Sequence, residues 1–253
     1  MSSEPGPTLT RGLVVSDLHL FARRSEGAAF LTSLENKLAA TDVFVLNGDT
    51  FDFRWIAPTD REKAFAAATD DLRTLLHRHP QCTIHFILGN HDCLLGFQRA
   101  LTELAATQPR FQWHPWLLRL GSAMFLHGDC AEASMDAAEL QRRRAPWEHG
   151  QQRGRIASWA YRTAEGLGLA QQAHEWFFPR PRVVERIAHY LDHVCPGWRG
   201  EVRDCYFGHT HLPFSGHTYE GIAFHNTGSA MPPILGFNPL SFEVQLPHPS
   251  PSS

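Results

Sequence analysis

The chain has 253 residues, of which 43% are hydrophobic and 19% charged, a composition typical of a globular protein with a sizeable core. Its formal net charge of −3 is too small to indicate a nucleic-acid-binding protein by itself. The five cysteines are dispersed, and no apolar run approaches the ~20 residues that cross a bilayer, which argues against a disulfide framework and a transmembrane helix. We therefore expect a soluble, cytoplasmic protein, whose surface could still dock peripherally on the inner membrane.

Short aliphatic runs in the first third of the chain predict buried strands. These runs, each bounded by Gly, Asn or Asp, are Leu13–Val15, Val43–Leu46 and Thr83–Leu88. Residues 25–40 and 60–79 have helical spacing and few helix breakers. This alternation of strands and helices predicts an α/β fold with a mostly parallel central sheet. The Pro- and Ser-rich residues 1–10 predict a loose N-terminal arm.

The second half of the chain predicts more strands around a long helical segment. The predicted strands are Trp116–Leu120, Ala123–Leu126, Cys205–Phe207, Phe214–Tyr219, Ile222–Asn226 and Ser241–Leu246. Residues 133–195 predict helices, and residues 141–203 carry 11 Arg against 6 Asp or Glu. We expect one domain over residues 11–247, with a helical, arginine-rich insertion at about residues 133–200. The arginine-rich insertion would be either a solvated helical subdomain or a cap that binds an anionic substrate.

Five clusters of Asp, Asn and His follow the predicted strands. They are Asp17 and His19 in VVSDLHL, Asp49 in VLNGDTFDF, Asn90 and His91 in FILGNHD, His127 in MFLHGD, and His209 and His211 in CYFGHTHLPF. Strand ends that face loops are where open α/β sheets place their sites, and residues two apart in an extended segment point to the same side. One histidine after a strand would usually be a hydrogen-bonded structural residue. Five such clusters would be costly to bury without an ion to pair them.

The donor atoms in these clusters indicate the kind of metal. Carboxylate, amide and imidazole groups without a thiolate suit Mn²⁺, Zn²⁺ or Fe. The number of ligand candidates exceeds what one ion needs from protein, whereas two ions that share one carboxylate would use them all. The candidate metal ligands are Asp17, His19, Asp49, Asn90, His127, His209 and His211.

The order of the five motifs resembles that of the calcineurin-like metallophosphoesterases, and it extends over most of the chain. The resemblance implies a four-layer α/β/β/α sandwich and two divalent metal ions, with Mn²⁺ favoured and Zn²⁺ or Fe as alternatives. The ligands implied for the first ion are Asp17, His19 and His211. The ligands implied for the second ion are Asn90, His127 and His209. Asp49 would bridge the two ions.

The resemblance also implies the reaction, an in-line displacement at phosphorus by a water that bridges two ions ~3.5–4 Å apart. His91 would be catalytic without binding metal, because it could stabilise the transition state and protonate the leaving oxygen. Asp92 would orient His91. Asp52 could support a metal-bound histidine or be a plain turn residue. The run Asn226–Ser229 would have a structural role near the site.

Within this family the chain is most similar to the UDP-2,3-diacylglucosamine hydrolases of lipid A synthesis. The shared features are SDLHL, GDTFDFRW, LLG at Leu94–Gly96, Pro213 after GHTH, and the helical insertion before it. This likeness implies a pyrophosphate substrate and an insertion that covers acyl chains. The chain departs from that group at His91, where an Arg is usual, and in the insertion motifs, of which only Asp136, Leu140 and Arg144 are similar.

Arginines of the insertion are the predicted substrate-binding residues. They are Arg142, Arg143, Arg144, Arg153 and Arg155. With Trp159, Trp176 and nearby apolar residues they would form an apolar groove with a basic rim, suited to a lipid-linked nucleotide or an anionic membrane. The simpler interpretation of the apolar residues is the buried face of a helix. A nucleotide or sugar phosphate is the alternative substrate, and a non-catalytic scaffold is the alternative function.

Overall fold

The first of two central β-sheets is built around the N-terminal strand. The computed structural model describes residues 8–150, 178–232 and 236–246. The strands of the first sheet are β1 (Thr8–Val15), β2 (Val43–Asn47), β3 (Thr83–Ile87), β4 (Phe111–His114) and, from the end of the chain, β12 (Leu240–Leu246). The strands from β1 to β4 are parallel neighbours, and β12 pairs antiparallel with β1. The predicted loose arm is therefore wrong for residues 8–10, which pair with β12.

The second sheet comes from the second half of the chain. Its strands are β5 (Leu117–Leu120), β6 (Ala123–Leu126), β7 (Asp204–Phe207), β8 (Phe214–Tyr219) and β9 (Ile222–Asn226). Their spatial order is β5-β6-β7-β9-β8, with the three central strands parallel and the two outer strands antiparallel to their neighbours. A small ribbon pairs β10 (Gly228–Ser229) with β11 (Gly236–Phe237). All the strands predicted from the sequence are present.

Helices cover the outer faces of both sheets. The helices are α1 (Gly27–Ser33), α2 (Glu35–Leu38), α3 (Arg61–Arg78), α4 (Leu95–Thr107), α5 (Ala137–Glu148) and α6 (Arg180–Val194). The helix predicted over residues 25–40 is divided in two at Leu34. Helix α4 and strand β4, within residues 95–114, were not predicted from the sequence. Within the described residues, no helix combines the length and the apolar character needed to span a membrane.

Three apolar layers hold these elements together, and the period of two along the strands creates them. In β2, Phe44 and Leu46 pack toward α1 to α4. Val43 and Val45 face the space between the sheets. In β6 the alternation repeats, since Phe125 faces the other sheet and Met124 packs toward α6. The predicted α/β/β/α sandwich is confirmed.

The arginine-rich insertion is described only at its two ends, α5 and α6. Helix α6 buries Val184, Ile187 and Leu191 against the second sheet, in one cluster with Phe207. This end of the insertion is therefore the outer helical layer of the sandwich. Residues 151–177, including Trp159 and Trp176 of the predicted groove, lie outside the described residues.

Candidate metal centre

The five predicted clusters meet where the parallel strands of both sheets end. Asp17 lies two residues after β1, Asp49 two residues after β2, and His127 directly after β6. Backbone hydrogen bonds join these loops, because the Asp17 N–H donates to the Gly48 carbonyl at 3.0 Å and the Gly208 N–H to the His127 carbonyl at 2.8 Å. The parallel order of strands thus brings residues far apart in sequence to one place.

The first donor group consists of Asp17, His19 and His211. Nε2 of His211 lies 3.2 Å from Oδ1 of Asp17 and 3.3 Å from Nε2 of His19. Nε2 of His19 is 3.8 Å from the same oxygen of Asp17. Asp17 and His19 are buried, so their donor atoms are shielded from bulk water. The set predicted for the first ion is therefore assembled.

The second donor group consists of Asn90, His127 and His209. Nε2 of His127 lies 3.1 Å from Oδ1 of Asn90 and 3.2 Å from Nδ1 of His209. Asp49 lies between the two donor groups, since its Oδ2 is 3.4 Å from Nε2 of His127 and 3.9 Å from Nε2 of His19. One carboxylate oxygen thus faces both groups, as a bridging ligand would.

The electrostatics of the site fit divalent metal ions. Burial alone would raise the pKa of Asp17, but His19 and His211 outweigh it and hold that pKa below its usual range. Burial alone would lower the pKa of His19, but Asp17 and Asp52 raise it to about 10. The pKa of His127 rises to about 9 against the effect of burial, mainly through Asp49. The buried carboxylates therefore demand positive charge here, which protons or metal ions can provide.

One buried oxygen supports the same conclusion. Oδ1 of Asp17 is fully enclosed, and the imidazole nitrogens Nε2 of His211 and Nε2 of His19 face it at 3.2 and 3.8 Å. A carboxylate oxygen left in this state is costly to bury unless a cation binds it. With the oxygen and nitrogen donors around it, this atom fits a metal of the Mn²⁺, Zn²⁺ or Fe type.

The ligand loops have an unusual backbone. Five candidate ligands adopt positive φ angles: Asp17 at 53°, His19 at 48°, Asp49 at 50°, His209 at 63° and His211 at 57°. The left-handed conformation costs a non-glycine residue roughly 1–2 kcal/mol. Such strain concentrates at functional sites, where the surrounding structure imposes it. Here it turns each side chain from its strand toward the centre.

Two glycines make room for the carboxylates. A Cβ atom at Gly89 would overlap Oδ1 of Asp49, and one at Gly208 would overlap Oδ2 of Asp17. These close approaches explain why a glycine precedes each of the candidate ligands Asn90 and His209. Asn226 stabilises the loop after β7, because its side chain donates to the Gly208 carbonyl at 2.9 Å.

The structure changes the partner of His91. Nδ1 of His91 lies 3.1 Å from Oδ1 of Asp52, and the other oxygen of Asp52 lies 3.6 Å from Nδ1 of His19. Asp92 instead accepts from the backbone N–H groups of Gly89 at 2.7 Å and Thr50 at 2.8 Å. The prediction that Asp92 orients His91 is therefore wrong, because the Asp92 carboxylate is engaged in joining the loops after β2 and β3. Asp52 is the carboxylate that lies beside the ring of His91.

Glu132 is a residue that the sequence analysis missed. Its Oε1 lies 3.2 Å from Nε2 of His209, whose Nδ1 faces the second donor group. Its Oε2 lies 3.3 Å from Nη1 of Arg143. The contact with His209 lowers the pKa of Glu132, against the effect of burial. No motif signals Glu132, because its contact depends on how the turn at Asp129–Glu132 meets the loop after β7.

The predicted arginines differ in their surroundings. Arg144 is buried, donates to both carboxylate oxygens of Asp129 at 2.7 and 2.8 Å, and donates to the Pro115 carbonyl. It is a structural residue, so its assignment to substrate binding is wrong. Arg142 and Arg143 are exposed and form ion pairs with Glu139. Arg153 and Arg155 lie outside the described residues.

Comparison with known proteins identifies the family. The sequence profile of the calcineurin-like phosphoesterases matches residues 10–213. A crystal structure of a dimetal phosphatase from Danio rerio is similar with a TM-score of 0.47 and 10% identity, over 94% of this chain and 93% of that one. Comparison with curated proteins finds no match. The chain therefore belongs to the calcineurin-like phosphoesterase family and is a metal-dependent phosphoester hydrolase.

Proposed function

We propose that the chain hydrolyses its phosphoester substrate with two divalent ions held by the two donor groups. The observation that carries this proposal is the position of Asp49, whose Oδ2 faces His127 and His19 at 3.4 and 3.9 Å. When bound, the ions would activate a water molecule for in-line attack and neutralise charge on the phosphoryl oxygens. Mn²⁺ is the proposed ion, with Zn²⁺ or Fe as alternatives.

His91 would donate a proton to the leaving oxygen. Its Nδ1 faces Asp52 at 3.1 Å, which leaves Nε2 to carry the proton that is transferred. The carboxylate of Asp52 would stabilise the charged ring before transfer and hold its orientation. The His91 backbone N–H donates to Oδ1 of Asp49 at 2.8 Å, so the proposed acid is fixed to the bridging ligand. General acid catalysis of this kind contributes roughly 10²–10⁴ in rate.

The proposed substrate is a pyrophosphate such as UDP-2,3-diacylglucosamine. The support is the likeness in sequence motifs and the exposed Arg142 and Arg143 on α5, which could bind an anionic, lipid-linked nucleotide at the surface of the inner membrane. His91 favours the alternative, a phosphodiester or phosphomonoester of a nucleotide or sugar, because the diacylglucosamine hydrolases usually have Arg there.

Metal-depleted protein should regain activity with Mn²⁺ toward chromogenic phosphate mono- and diesters. Asp49→Asn should lose this activity and bind less than two ions per chain, whereas Asp70→Asn, an exposed carboxylate on α3, should behave as wild type. Full activity of Asp49→Asn would refute the site. For the substrate, release of UMP from UDP-2,3-diacylglucosamine is expected, and its absence would favour the nucleotide or sugar phosphates.

A further inference from the structure

An indole ring covers the proposed acid. Trp147, in the last turn of α5, stacks on His91 with ring centroids 5.3 Å apart and an angle of 29° between the planes. The ring of His91 therefore has Asp52 at Nδ1 and Trp147 against its face. We propose that Trp147 is a positioning residue, which holds the imidazole of His91 in the orientation needed for proton transfer. This inference rests on the function proposed above.

The indole ring is itself held in place. Three residues before it, Arg144 joins α5 to Asp129, which lies two residues after the His127 ligand. The guanidinium of Arg54 lies 5.0 Å from the centroid of the Trp147 ring and 4.8 Å from that of the Trp55 ring. Trp147 is therefore fixed to the loop of one metal ligand and to the loop after β2. Because the indole ring of Trp147 is held in place, its stacking contact can restrict movement of the His91 ring.

The acid needs this support because proton transfer depends steeply on distance. A general acid acts from about 2.6–3.2 Å, and displacement by 1 Å can cost up to about 100-fold in rate. Asp52 contacts the ring at Nδ1 and the ring of His19 lies at 83° to it with the centroids 4.9 Å apart, and Trp147 adds a near-parallel contact to these two. A stacked indole restricts tilting of the His91 ring. The effect should appear only where protonation of the leaving group limits the rate.

Substrates with different leaving groups separate positioning from simple packing. We suggest aryl phosphate esters that range from p-nitrophenyl, which leaves without help, to unsubstituted phenyl, which needs a proton. Trp147→Ala should lose about tenfold more in kcat on the phenyl ester than on the p-nitrophenyl ester. Trp147→Phe should recover most of this loss, because it restores an aromatic face. Trp113→Ala, which removes another partly buried indole from β4, should affect all esters equally.

An equal loss over the whole series in Trp147→Ala, with active wild type, would overturn the positioning role and leave the proposed function intact. Absence of hydrolysis by wild type with Mn²⁺, Zn²⁺ and Fe²⁺ would overturn both. A second measurement needs no turnover. In the zinc-loaded protein, the ring-proton signals of His91, assigned with His91→Gln, should shift in Trp147→Ala and stay in place in Trp113→Ala. Unshifted signals in Trp147→Ala would contradict the stack itself.

Discussion

The loops after the strands and the helix α5 contribute to the same centre in different ways. The loops carry the donor atoms, at short fixed distances along the chain from the strand ends. Helix α5 acts through other residues, since Arg143 contacts Glu132 beside His209, Arg144 contacts Asp129 near His127, and Trp147 contacts His91. Donor atoms thus depend on local sequence, whereas the contacts that hold them depend on packing between distant elements.

The largest expected effect concerns the ion pair by which helix α5 contacts Asp129. Arg144→Ala should lower the free energy of unfolding by about 3–5 kcal/mol, because the Asp129 carboxylate would stay buried without its partner. Arg142→Ala, two residues earlier on the same helix, removes an exposed cation and should change stability by less than about 0.5 kcal/mol. Denaturant unfolding measures both. Unchanged stability in Arg144→Ala with weaker substrate binding would restore its assignment to the substrate.

Protons should compete with metal ions for the histidine nitrogens of the loops. In the metal-free protein the pKa of His19 is about 10 and that of His127 about 9, so both rings are protonated at both nitrogens and positively charged at neutral pH. An ion binds only the neutral ring, so binding must release these protons, and affinity must rise with pH. We expect about a tenfold gain in Mn²⁺ affinity per pH unit for each proton released. Calorimetric titrations at pH 6, 7 and 8 measure it, and a constant affinity would contradict the assignment.

Asp52 connects the two kinds of residue, because it contacts the candidate ligand His19 and the proposed acid His91. Asp52→Asn should lower both metal affinity and kcat by about 10–100-fold, the usual cost of removing a group that orients a metal ligand. Asp92→Asn is the matched control. It should lower the free energy of unfolding by about 1–3 kcal/mol, because an amide offers one acceptor oxygen to the two loop N–H groups that now donate to two. The reverse pattern would reinstate Asp92 as the partner of His91.

The smallest expected effect concerns Glu132. Glu132→Gln keeps the size of the side chain but removes the charge beside His209, so Mn²⁺ affinity should fall by about tenfold. Glu139→Gln, which alters another carboxylate paired with Arg143, should leave the affinity unchanged. Competition with a fluorescent chelator measures the difference. Equal affinities in the two variants would show that the contact with His209 has no effect on the ion.

The convergence of the candidate donor atoms could be predicted from the sequence, because each lies within four residues of a strand end. Asp17 and His19 follow β1, and the parallel strand order then brings them to His211. The supporting residues could not be predicted in this way. Asp52 and Asp92 both lie close to ligands along the chain, and only the direction of the turn after Asp49 decides which carboxylate reaches His91.

The errors in the predicted fold have similar causes. Helix α4 has apolar residues at helical spacing, namely Phe97, Leu101 and Leu104, but it follows the Asn-His-Asp motif without a clear helix start. Its N-terminal residue makes no side-chain cap. Arg144 has a charge typical of a substrate-binding residue, and only the position of Asp129 at the end of the second sheet makes it structural.

The left-handed backbone of the loops that carry the candidate ligands has a consequence for stability. Five non-glycine residues in this conformation oppose folding by several kcal/mol in sum, on the order of 1–2 kcal/mol each. Glycine adopts the same angles at little steric cost, so Asp17→Gly or His19→Gly would relieve strain in the metal-free chain while removing a ligand. Stability and catalysis are thus opposed at these positions. The side chains at these positions therefore provide donor atoms at a cost to backbone stability.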